Sequence, residues 1–129
     1  MNDISANLIM SYRAAMFDGP ADISWLRQGW RGLRQYGRRA KAAIVAGDVA
    51  LKAEMIAKAD GLLTFMVGIL DTSEGTTLGG ALMTIYSALR FTLLRANVEN
   101  DLAALDDFEA ALMLLDQDMK MSAESMPAA

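Results

Sequence analysis

This chain contains two prolines, Pro20 and Pro127, and nothing between them forbids a helical backbone. Proline removes an amide donor and clashes with the preceding turn. The stretch between the two is therefore free to be helix interrupted only by turns. Apolar residues recur at helical spacing throughout it. From Val49 to Leu70 one stripe runs Val49, Ile56, Ala59, Leu63, Met66, Leu70. A second runs Leu51, Met55, Leu62, Phe65, Ile69 on an adjoining face. A small bundle closes its core with one stripe per helix. The second either widens that core or receives a partner, and periodicity alone leaves both readings open.

Turn chemistry divides the stretch into four predicted helices. The first spans about 22–46, with Asp22 as N-cap and a core stripe of Ile23, Leu26, Trp30, Leu33, Gly37, Ala40 and Ile44. Gly47 suits a helix C-terminus and Asp48 caps the next helix, so the first two helices should be antiparallel neighbours. The second helix spans about 49–70, and the polar residues 71–77 connect it to the third. The third, about 77–96, is apolar nearly all round, which places it centrally or against a partner. Residues 97–100 read as a turn. Asp101 then caps a fourth helix with Leu102, Leu105, Phe108, Leu112, Leu115 and Met119 at heptad-like spacing. There is no β signal and no repeat. The expected fold is all-α: an antiparallel four-helix bundle over 22–121, preceded by a short N-terminal segment, 1–21, and followed by a flexible tail, 122–129.

Composition narrows the function. The 129 residues include no His and no Cys, which removes the commonest general base, thiolate chemistry and the usual zinc ligands. Ser11 and Ser24 have no lysine at helical spacing, so nucleophilic catalysis is not expected. The run Asp71 to Gly75 lacks the alternating oxygen ligands of a calcium loop. The expectation is a non-enzyme with no cofactor and no metal. Residues 1–16 hold Asp3 and Arg13 without a cationic start and apolar core, so they do not read as a signal peptide. The apolar stretch Leu62 to Leu70 is far short of the roughly 20 residues a membrane span needs. A cytoplasmic protein without membrane insertion is expected. Ten methionines give adaptable apolar surface, which favours a protein that holds another protein.

Charge is segregated. The first helix carries Arg27, Arg31, Arg34, Arg38, Arg39 and Lys41, with no acid from Ile23 to Gly47. The fourth helix and its entry carry Glu99, Asp101, Asp106, Asp107, Glu109, Asp116 and Asp118. In an up-down bundle these helices are neighbours, so ion pairs between them are expected. With a net charge of −4, nucleic acid is not an expected partner.

One ordered series carries more. Ala40, Ala43, Ile44, Gly47, Asp48, Ile56, Lys58, Ala59, Leu63, Leu70, Asp71, Gly75, Leu82, Tyr86, Leu94, Ala96, Asn97, Asp101 and Leu105 fall in the order and spacing of one known pattern. In it the chain resembles the FliS family of flagellar export chaperones. Tyr12 falls at that family's N-terminal tyrosine, and Gly32 at the glycine of its leucine-tyrosine-acid-glycine segment. Gly29, Trp30 and Arg31 depart from that segment, Asp22 stands where proline is usual, and the late tryptophan of the last helix is missing. The resemblance implies a chaperone that binds the C-terminal helical region of flagellin, prevents premature polymerisation and delivers it to the export apparatus. Surplus apolar spacing and the resemblance together mark Met55, Leu62, Phe65, Ile69, Met83 and Tyr86 as candidates for a client groove, with Tyr12 as a further contact. The apolar patch Leu8, Ile9, Met10 and Tyr12 is expected to cover that groove when it is empty. The alternative is a structural or regulatory bundle that self-associates as a homodimer or takes another helical client.

Overall fold

The computed structural model describes residues 21–68 and 77–125, with side chains described for 26–68 and 80–118. Four helices account for them: α1 (Ala21–Ala46), α2 (Val49–Gly68), α3 (Thr77–Glu99) and α4 (Leu102–Ser125). Each packs against two neighbours, in the ring α1–α2–α3–α4, and the diagonal pairs do not approach at the backbone. This is the all-α four-helix arrangement the hydrophobic periodicity calls for. The segment 1–20, the connection 71–76, Ile69, Leu70 and the side chain of Met119 lie outside the described residues.

Three boundaries differ from expectation. Ala21 is already helical, so Asp22 does not precede α1 but sits inside it. The third helix continues through Asn97, Val98 and Glu99. None of these residues breaks a helix, and the chain turns only at Asn100, whose φ of 52° is a left-handed conformation that Asn tolerates. The fourth helix reaches Ser125, beyond the expected start of a tail.

The two tight turns share one design. At the first, Gly47 has φ 73°, its N–H donates to Ile44 O (3.1 Å), and the Asp48 N–H donates to Ala43 O (2.8 Å). These two bonds satisfy carbonyls that the end of α1 would otherwise leave open. Asp48 Oδ1 then accepts from the Leu51 N–H (3.0 Å) and starts α2. At the second, Asn100 turns the chain and Asp101 Oδ1 accepts from the Ala104 N–H (3.1 Å) to start α4. Lys52 joins the two turns. Its Nζ donates to Asn97 O (3.0 Å), at the end of α3, and to Asn100 Oδ1 (2.7 Å).

Asp101 also accepts from Arg95 Nη2 at 2.8 Å. That bond, followed by the backbone bond from Ala104, holds the Asp101 carboxyl below the usual carboxylate range. A carboxyl lowered in the folded state stabilises fully above its unfolded value of about 4. The contribution disappears as pH falls through the folded value. Asp101→Asn is therefore expected to melt below the parent at neutral pH, and the two melting curves should converge in acid. Parallel curves at all pH values would show that the charge contributes nothing.

The core draws on all four helices. Leu26, Trp30 and Leu33 of α1 meet Leu63 and Met66 of α2, Leu82, Tyr86 and Leu93 of α3, and Phe108 and Leu112 of α4. At its centre Trp30 Nε1 donates to the Tyr86 hydroxyl at 2.9 Å, a buried bond that crosses the bundle between diagonal helices. Close approach is made possible by glycine at two points of α1. A Cβ on Gly29 would lie 2.9 Å from Met66 Cε, the free end of a flexible side chain. A Cβ on Gly37 would lie 3.2 Å from Phe108 Cδ2, in a buried ring. Alanine gains about 1 kcal/mol of helix propensity at either site. Overpacking against a fixed ring costs about 1–3 kcal/mol. Gly37→Ala should thus destabilise the protein and Gly29→Ala should be neutral or stabilising. Urea titrations that rank the two the other way would overturn this assignment.

Candidate client groove

The α2 and α3 helices leave a groove of about 540 Å³ between them. On α2 its wall is Ala53, Ala57 and Asp60, at i, i+4 and i+7. The two alanines give α2 a low profile there. On α3 it is Ser87, Arg90, Phe91, Leu94 and Asn97, and Ile56 and Leu93 form the floor. Arg90 Nε pairs with Asp60 Oδ1 across the groove at 2.9 Å. Both side chains are more than 40% exposed, so the pair contributes little to stability and yields readily.

Part of the rim is apolar and exposed, and the apolar surface continues past it to Val98 on α3. Phe91 is 65% exposed, Leu94 55% and Val98 72%. Their i, i+3, i+7 spacing makes a continuous stripe along the outer side of α3. This resolves why α3 reads as apolar all round. Leu82, Tyr86, Leu89 and Leu93 form its core stripe, and Phe91, Leu94 and Val98 a second, outward one. A groove of this size, floored by aliphatic carbon and edged by a few polar groups, is suited to holding apolar side chains.

The residues expected at the groove are divided by the structure. Tyr86 is fully buried and Met55 is 3% exposed, so neither presents surface to a client, and both are corrected to core. The physical reason for Tyr86 is spacing: with Leu82, Leu89 and Leu93 it completes the inward stripe, and its hydroxyl is engaged by Trp30. Leu62 is half-buried and packs beside Gly32 of α1. Through Leu62 the second stripe of α2 contributes to the contact with α1. Phe65, one turn further along that stripe, is 49% exposed. Met83 is half-buried and shares its stripe with Ser87, Arg90 and Leu94 of the groove wall. Ile69 and Tyr12 lie outside the described residues. Phe91 and Leu94, absent from the expected set, are signalled by the same i, i+3 spacing once Tyr86 is assigned inward.

On the opposite face, the expected ion pairs between the first and last helices are present. Arg27 pairs with Asp116 (2.7 Å), Arg38 with Glu109, and Lys41 with Asp106 (2.5 Å). Among the described residues no helix is long and apolar enough to cross a membrane, and no group of three or more acidic residues is placed to hold a metal ion.

The comparisons with known proteins bear on this geometry. Residues 26–121 match the family model described as Flagellar protein FliS. The match takes in α1 from Leu26 onward, all of α2 and α3, and most of α4. No curated protein matches the chain.

Proposed function

The chain belongs to the FliS family of flagellar proteins, and from that membership we propose that it is a cytoplasmic chaperone for the C-terminal helical segment of flagellin. The observation that carries this reading is the α2–α3 groove with Phe91 and Leu94 exposed on its rim and Val98 beyond them on α3. An amphipathic segment that is disordered until assembly can lay its apolar face into such a groove. It orders on binding, so a large contact area is compatible with release. Held there, its apolar face is withheld from other subunits, and premature polymerisation is blocked. Met83 extends the line of contact along α3, and Phe65 gives a long client a further apolar contact on the α1 side of α2. Holding a client requires no cofactor and no bond-making step. The loaded complex is then handed to the export apparatus.

The exposed α3 stripe also supports a second reading, self-association through the same surface. One titration tests both. A labelled flagellin C-terminal peptide is added to the full chain and followed by fluorescence anisotropy, with sedimentation velocity on the free protein. Saturable binding to a monomer, or displacement of a dimer by the peptide, supports the chaperone reading. A stable dimer that the peptide does not displace supports the second reading and overturns the first.

A further inference from the structure

We infer that the Arg90–Asp60 pair is the specificity element of the client groove. It selects a client helix that carries one glutamine or asparagine within its apolar face, and so fixes the register in which that helix binds. The inference rests on the reading of the α2–α3 groove as the client site. One side of α3 carries Met83, Ser87, Arg90, Leu94 and Asn97 at i, i+4, i+7, i+11 and i+14. Arg90 therefore stands between Leu94, on the exposed part of the rim, and Met83. On α2, Asp60 lies one turn beyond Ala57. Arg90 Nε and Asp60 Oδ1 meet at 2.9 Å, and both residues line the groove. A client helix that touches both Leu94 and Met83 must pass over the pair.

Side chains differ in how well they can cover this pair. An apolar residue would strip water from two charges and return no hydrogen bond, which is costly. A carboxylate would meet Asp60 and an ammonium would meet Arg90, each setting like charges together. A carboxamide avoids both penalties. A guanidinium has more N–H donors, and a carboxylate more acceptor sites, than their mutual bond uses. The carboxamide oxygen can accept from Arg90 while its N–H donates to Asp60. Both partners are more than 40% exposed, so these sites are open to a ligand. Among the lining residues only these two are charged. The aliphatic part of the lining, Ala53, Ile56, Ala57 and Leu94, would accept an apolar face shifted by one helical turn almost as well. A single polar contact inside an apolar interface removes that freedom, as polar residues do in coiled-coil seams.

The test uses the full chain and four labelled helical peptides with the same apolar face. They differ only at its central position, which is Gln, Leu, Glu or Lys. The Gln peptide should bind at least about fivefold tighter than any of the others. Asp60→Ala leaves the guanidinium alone and should shift the preference to Glu. Arg90→Ala leaves the carboxylate alone and should shift it to Lys. Asp60→Arg combined with Arg90→Asp rebuilds the pair with its partners exchanged and should restore the preference for Gln. The pair is exposed, so all these variants should melt close to the parent. Four peptides that the parent binds alike, or does not bind, would overturn the inference. So would an unaltered preference for Gln in either single variant. Binding that survives Phe91→Asp with Leu94→Asp would place the peptides outside the groove and overturn it as well. The flagellin C-terminal segment, titrated alongside, tests the chaperone reading separately. Its failure to bind where the Gln peptide binds would overturn that reading and leave the selectivity of the groove standing.

Discussion

Trp30→Ala is expected to be the most damaging single substitution in the described core, at about 3–5 kcal/mol. The indole is fully buried where all four helices meet, and its removal leaves a cavity that flanking Leu26, Leu33 and Met66 cannot close without moving a helix. A natural domain is stable by only about 5–15 kcal/mol, so this loss brings the fold close to its limit. Tyr86→Phe isolates the polar part of the same effect. It keeps the ring but strands the Trp30 N–H, which has the Tyr86 oxygen as its acceptor at 2.9 Å. An unsatisfied buried donor costs about 1–3 kcal/mol. Urea titrations followed by circular dichroism measure both. A Tyr86→Phe protein as stable as the parent would show that the bond is dispensable and that packing alone sets the centre of the bundle.

Phe91→Asp together with Leu94→Asp should produce the largest functional loss with the least structural cost. Both side chains are already more than half exposed, so the charges enter water rather than core. The helix-propensity cost is at most about 0.7 kcal/mol per site. Covering a large apolar side chain yields about 1.5–3 kcal/mol, so losing two such contacts weakens binding of the flagellin segment by about a hundredfold or more. Desolvating two new carboxylates adds to that. Affinity should collapse while the melting temperature stays near the parent value. A double variant that binds the peptide normally would remove the α2–α3 groove from the client site. One that unfolds would place Phe91 and Leu94 in the structure's support rather than on its surface.

The helices and their order were legible in the sequence because their signals are local. Gly47 with Asp48, and Asp101 before Leu102, fix turns through backbone conformation and capping. The charge segregation between the first and fourth helices likewise predicted pairs that the structure contains. What spacing could not decide was which of two apolar stripes faces inward, because that depends on where the neighbouring helices stand. On α2 the second stripe is divided, with Met55 buried, Leu62 beside Gly32 of α1, and Leu51 and Phe65 exposed. On α3 the inward stripe took Tyr86 and left Phe91 and Leu94 outside. The end of α3 was misplaced because Asn97 and Asn100 are equally plausible turn residues, and tertiary bonds from Lys52 involve both. The N-terminal cover over the groove, with Tyr12, lies outside the described residues.

The ladder between α1 and α4 has a consequence for topology. Four helices of similar length and pattern can be assembled in more than one order, and leucines do not distinguish one neighbour from another. Charge does. Of the other helices, α3 carries Arg90 and Arg95, with Glu99 alone as an acid at its far end. An arrangement with α1 beside α3 would set the α1 cations against Arg90 and Arg95, with Glu99 alone to answer them. Only α4 offers α1 a row of carboxylates. Each exposed pair is worth about 0–1 kcal/mol in the native state. Its larger effect is on the competing orders, which it penalises by repulsion as well as by loss of attraction. The segregated charges thus act as an address that directs α1 to α4 and disfavours the other orders.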